Sequence, residues 1–159
     1  MKKILILFVF CSALFYSQKA WSFEAAVSDA SAAAGQKVSI KVKFSGNTKD
    51  VIAVDAWLKY DKDVLRLDKI EKGSAVTNFN LVANPNEPGL VKIALVGLSP
   101  FNAASGHLLT FSFIVRDKPK KEKCILHLSK IDFSTDTLIE PAAVNRDGTF
   151  SVKRFRGGR

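Results

Sequence analysis

Period-two alternation, repeated in short runs along most of the chain, limits this sequence more than any other feature. Val38, Ile40, Val42 and Phe44 alternate with Lys37, Ser39, Lys41 and Lys43. That spacing puts one set of side chains on each face of a strand and leaves no continuous stripe for a helix. Val54, Ala56, Leu58 and Tyr60 follow with a less clean alternation, and Val64, Leu65, Leu67 and Ile70 form another strand, closed by Gly73. Phe79 to Ala83 reads as a short strand ending in the turn-rich Asn84-Pro85-Asn86-Glu87-Pro88-Gly89. Leu90 to Leu98 is nearly continuously apolar, and Ser99 to Gly106 reads as a loop. Leu109, Phe111, Phe113 and Val115 alternate again, before a charged loop from Asp117 to Lys123. Cys124 to Leu128 and Phe150 to Val152 complete the series, with a turn at Asn145 to Gly148.

Eight to nine strands without crossover helices predict an all-β fold, an antiparallel sandwich with its core between two sheets. Nothing repeats at the period of a solenoid or propeller. Phe44, Phe79, Phe111, Phe113, Phe133 and Phe150 are the expected core rings, each contributing roughly 2–3 kcal/mol by burial.

The N-terminus has a different character. Lys2 and Lys3 precede an apolar stretch from Ile4 to Tyr16, and Ala20-Trp21-Ser22 places small residues at the −3 and −1 positions of a cleavage site. Thirteen residues rise only about 20 Å as a helix, short of the roughly 30 Å hydrocarbon core. Residues 1–22 are therefore read as an export signal that meets the membrane only in transit. Residues 23–152 form one domain and residues 153–159 a basic tail. The expected location is outside the cytoplasm: extracellular, at the cell surface or periplasmic. Cys11 precedes the expected cut and Phe10 stands before it, where a lipid-modification signal wants a small residue, so Cys11 leaves with the signal. Cys124 then stands alone in the mature chain, on a strand, where a buried inert thiol is expected.

The formal net charge of +9 misleads. Lys2, Lys3 and Lys19 lie in the signal, and Lys153, Arg154, Arg156 and Arg159 in the tail. Residues 23–152 hold 17 basic and 15 acidic side chains. That balance gives the domain no electrostatic footprint for nucleic acid. The tail reads as a disordered end; attraction to an anionic lipid or polysaccharide surface is its other reading.

Several motifs, read in order, carry a likeness. Ala34-Gly35-Gln36-Lys37-Val38 leads into Val42-Lys43-Phe44-Ser45. Ala56-Trp57-Leu58-Lys59-Tyr60-Asp61-Lys62-Asp63-Val64-Leu65 carries a Tyr-Asp-x-x-Val-Leu turn. Gly106-His107-Leu108-Leu109-Thr110-Phe111-Ser112-Phe113-Ile114-Val115 and the closing Asp147-Gly148-Thr149-Phe150-Ser151-Val152 complete the set. Over residues 25–152 this series resembles the cohesin domain, the receptor that binds dockerins in cellulosomes and related assemblies. The resemblance implies a nine-stranded jelly roll, a fold shared with several carbohydrate-binding modules, and no catalytic activity. It also implies that Ala56, Leu58 and Tyr60 point inward. Ala53, Asp55, Trp57 and Lys59 then project from the face that receives the partner, joined by Lys92, Ala94 and Val96 of the neighbouring strand. Asp55 aligns with an acidic residue that the family uses there. Gly97 falls near a further polar contact of the family and departs from it.

Trp57 has two readings: an interface anchor with an apolar ring and an N–H handle, or a ring packed beneath a loop or strand edge. The Lys37, Lys41 and Lys43 row belongs to the other sheet and reads as solvated. No nucleophile elbow, phosphate-binding loop or zinc-protease motif is present. His107 and His127 lie twenty residues apart on different strands, and structural or solvent-exposed roles suit both. Asp61, Asp63 and Asp68 suit either turn formation or a weak calcium site. No catalytic residue, metal ligand or cofactor is assigned.

The leading function is therefore an exported, non-catalytic module that receives a dockerin-like protein in complexes linked to polysaccharide degradation. Two alternatives remain. One is a carbohydrate-binding module, with Trp57 and Phe101 as the exposed aromatics that would stack on sugar. The other is an accessory of an envelope secretion apparatus.

Overall fold

A computed structural model describes residues 23–154 apart from 47 and 102. The export signal and residues 155–159 of the tail lie outside the described residues. The strands are β1 (Glu24–Val27), β2 (Ala30–Ala33), β3 (Lys37–Ser45), β4 (Ala53–Lys59), β5 (Leu65–Lys72) and β6 (Asn80–Glu87). They continue with β7 (Leu90–Val96), β8 (Ser105–Val115), β9 (Lys123–Ser134), β10 (Ile139–Pro141), β11 (Val144–Arg146) and β12 (Gly148–Lys153). A single 3-10 turn, Ser74–Val76, interrupts them.

Two sheets result. One runs β11-β1-β3-β8-β5; the other runs β2-β12-β9-β4-β7-β6, with β10 attached to β9. The expected β-sandwich is present, built from twelve strands rather than eight or nine. The extra strands arise because both ends of the domain change sheet. β1 pairs with β3, and two residues later β2 pairs in parallel with β12. At the other end β11 pairs in parallel with β1, and one residue later β12 pairs with β9. Asn145 to Gly148, expected as a turn, is this second crossing. Gly148 is required there, since a Cβ would sit 2.7 Å from the Ser28 carbonyl oxygen.

The turn expected from Asn84 to Gly89 is much shorter than it looked. β6 runs on to Glu87, which pairs with Leu90, and only Pro88 and Gly89 form the bend. Gly89 has φ 91°, as the second central residue of a Pro-Gly type II turn demands. Pro85 is tolerated because β6 is an edge strand and its pairing is irregular between Asn84 and Glu87.

The core rings all point inward: Phe44, Phe79, Phe111, Phe113, Phe133 and Phe150 are buried. Phe23 and Phe101 join them. Phe23 stacks on Phe133 with centroids 4.2 Å apart, while Phe101 meets Phe44 and Phe79 edge-on at 5.3 and 5.4 Å. Tyr60 packs against this core, tilted over Phe113 at 4.9 Å. Such pairs add about 0.5–1.5 kcal/mol each beyond area burial.

Candidate partner-binding face

On β4 the burial alternates strictly: Val54, Ala56 and Leu58 are buried, and Ala53, Asp55 and Trp57 are half-exposed on the other side. The antiparallel register with β7 sets Ala53 opposite Val96, Asp55 opposite Ala94, Trp57 opposite Lys92, and Lys59 opposite Leu90. All seven residues expected from the sequence therefore share the outer face of the seven-stranded sheet, since directly paired residues point the same way.

The β9 side of that face was missed by sequence reasoning. Cys124, Leu126 and Leu128 point inward, but so do Ile131 and Phe133, so the alternation changes phase. A bulge opposite Trp57 and Leu58 absorbs the extra residue, Ser129, whose hydroxyl donates to the Trp57 carbonyl at 3.3 Å. Beyond it Lys130 pairs with Trp57, and Asp132 with Asp55. The switch from even to odd apolar positions was the available signal.

These residues make a compact charged cluster around the indole. The Lys92 and Lys130 ammonium groups lie 5.0 and 5.3 Å from the Trp57 ring centroid, within cation–π range. Lys130 donates to Asp55 at 2.6 Å and bridges to Asp132 at 3.0 Å. The Asp55 and Asp132 carboxylates hold its pKa above the ordinary lysine value, so it is charged at neutral pH. Lys92 in turn donates to Glu87 at 2.5 Å. Trp57 is neither sealed inside nor free; two cations clasp its ring at the surface.

The far half of the same face is apolar. Val82 pairs with Ala94 and is 65% exposed, Val96 is 50% exposed, and Leu98 beyond it is fully exposed. Gly97 between them lets the Phe79 ring approach closely, because a Cβ there would lie 2.5 Å from that ring. Its departure from the polar contact that the resemblance implied follows from this packing.

A sequence profile for the cohesin domain matches residues 23–152. The chain belongs to the cohesin domain family. The cohesin is thus a non-catalytic binding module. Its fold is similar to that of a non-cellulosomal cohesin from the archaeon Archaeoglobus fulgidus. That likeness has 20% identity and a TM-score of 0.70, covering 85% of this chain and 94% of the other. The sixth cohesin of Acetivibrio cellulolyticus scaffoldin B, solved with a mutant Cel5 dockerin, has 21% identity and a TM-score of 0.71 over 83% and 99%. CaCohA2 from Clostridium acetobutylicum has 16% identity and a TM-score of 0.73 over 84% and 92%. No curated protein matches this cohesin.

The remaining candidates take ordinary places in this cohesin. Phe101 is only 4% exposed, wedged between Phe44 and Phe79, so it offers no sugar-stacking surface. Asp61 pairs with Lys121 at 2.8 Å, Asp63 with Lys120 at 2.9 Å, and Asp68 with Lys37 at 2.9 Å. Those lysines hold all three carboxyls below the usual aspartate range. His107 Nε2 contacts Thr110 Oγ1 at 2.7 Å and the Leu109 carbonyl at 3.0 Å. His127 Nδ1 meets Asp147 at 2.8 Å, and Asp147 also accepts from the Leu128 amide at 3.0 Å, which pins the second sheet crossing. Cys124 is buried, and burial pushes its thiol pKa up.

Proposed function

We propose that the cohesin receives a dockerin-like partner on the outer face of its seven-stranded sheet. The supporting observation is the juxtaposition of the clasped Trp57 and an apolar half on one continuous face. Ala53, Ala94, Val82 and Val96 take the apolar residues of a partner helix. Asp55 and Asp132 meet its cations, and Lys59, Lys92 and Lys130 meet its carboxylates. An interface of standard size, about 800 Å² per partner, suits a desolvated centre inside a polar rim. Ala53, Asp55, Trp57, Lys59, Lys92, Ala94 and Val96 are the contact residues from β4 and β7.

Export of the chain, by the signal in residues 1–22, places this receptor outside the cytoplasm, where it joins complexes that degrade polysaccharide. Titration calorimetry against a panel of dockerin modules tests the core of the proposal. Specific binding by at least one, lost when the face is altered, supports it. Retention on insoluble cellulose or chitin without any dockerin would replace it with direct carbohydrate binding.

A further inference from the structure

The first residue of the domain is held at both its ring and its backbone. The Phe23 ring is buried against Phe133, and its carbonyl accepts a hydrogen bond from the Ala143 amide at 2.7 Å. Beside it opens a cavity of about 480 Å³, whose lining includes Phe23, Phe133 and the carboxylates Asp50, Asp136 and Glu140. Among the described residues neither lysine nor arginine lines it. Glu140 is paired with Phe133 across β10 and β9. Directly opposed residues share a face, so its carboxyl points inward, to the side where Phe23 stacks. Its Oε2 atom is buried and has no hydrogen-bond partner among the described residues. A buried acceptor left in that state is destabilising, the more so when charged. Among the described residues, no cationic side chain lines this corner of the fold.

We infer that the donor is the α-ammonium group of Phe23, released by cleavage between Ser22 and Phe23. This rests on the export reading of residues 1–22. An endopeptidase of the signal-peptidase class adds one water across the Ser22–Phe23 amide. The C–N bond breaks, Ser22 departs with the new carboxylate, and the Phe23 amine takes up a proton. Cutting accompanies translocation, before the chain folds, so the later burial of Phe23 is no obstacle. The uncut chain presents at the same atom a neutral amide, with one N–H and no charge. Processing thus supplies the counter-charge to Glu140 and locks β1 into its sheet.

Two measurements test this separately from export. The full chain is expressed in a bacterium with a general secretion pathway, and the exported product is analysed by intact mass and N-terminal sequencing. Phe23 is the expected first residue. Export with cleavage elsewhere overturns this inference while leaving export intact; absence of export overturns both. Next, the protein beginning at Phe23 is compared by thermal melting with one retaining Ser22, each with and without Glu140→Gln. Retaining Ser22 should lower Tm by roughly 3–6 °C with Glu140 present and should have little effect in the variant. An equal loss in both backgrounds overturns the pairing. If the variant does not fold, acylation of the Phe23 amine by a succinimidyl ester provides the readout. The folded protein should react about tenfold more slowly than the unfolded chain, and equal rates overturn the pairing.

Discussion

β3 and β4 obey the same alternation, yet their outward faces differ. β3 exposes Lys37, Ser39, Lys41 and Lys43 to solvent, whereas on β4 only Lys59 is exposed and Ala53, Asp55 and Trp57 are half-covered. The cross-strand neighbours make the difference. Lys41 faces Thr110 and Ser39 faces Ser112, small groups that leave the lysines in water. Trp57 lies between Lys92 and Lys130, and Asp55 between Ala94 and Asp132, so each group covers part of the next. Period tells which way a side chain points; the flanking strands decide whether it meets water or other side chains.

That contrast can be broken most severely by blocking the centre of the covered face. Ala94→Arg should weaken a dockerin that binds the wild type by about a hundredfold, roughly 3 kcal/mol. Ser39→Arg, the same change on the lysine face, should leave the calorimetric affinity unchanged. Equal losses would mean that the two faces are equivalent. Trp57→Ala comes next, with an expected loss of roughly 2 kcal/mol, or about thirtyfold, and little change in Tm. A large drop in Tm at unchanged affinity would make the indole a packing residue.

Asp55→Asn should have a milder effect, about 0.5–1 kcal/mol, because Lys130 keeps Asp132 as a partner. Surface plasmon resonance at low and high salt would detect it as a flatter salt dependence. The smallest effect separates the Trp57 cluster from the other aspartate–lysine pairs by pH. Asp61, Asp63 and Asp68 are held below their ordinary range by lysines. Their contribution is complete above the unfolded aspartate value of about 3.9. It is lost as pH falls through the lower folded values. Lys130 is shifted upward, so its contribution persists below the unfolded lysine value of about 10.4. It disappears as pH rises through the folded one. Thermal melts should show a small acid loss from the aspartate–lysine pairs and a small alkaline loss from the Trp57 cluster. A loss between pH 5 and 9 from either group would contradict these assignments.

Much of this was written in local periodicity. Six phenylalanines were expected in the core and all six are buried, and parity placed Trp57 and Lys92 on one surface once the family resemblance had set which side of β4 faces inward. What escaped depends on distant partners. Phe101 follows Ser99 and Pro100 in a stretch with turn composition, and only Phe44 and Phe79, far away in sequence, make its position interior. The sheet crossings at Ser28-Asp29 and at Asp147 resemble ordinary turns, because a strand that changes sheet and one that folds back need similar residues. Lys130 and Asp132 were hidden by a phase change that simple alternation reads as an ended strand.

That bulge at Ser129 has an evolutionary side. Removing the one residue would turn Ile131 and Phe133 out to water and carry Lys130 and Asp132 into the apolar interior. No single replacement leads smoothly from one arrangement to the other, because each intermediate would misplace several side chains at once. The outward placement of Lys130 and Asp132 therefore depends on the inserted residue, whereas Trp57 and Ala94 project outward by plain alternation.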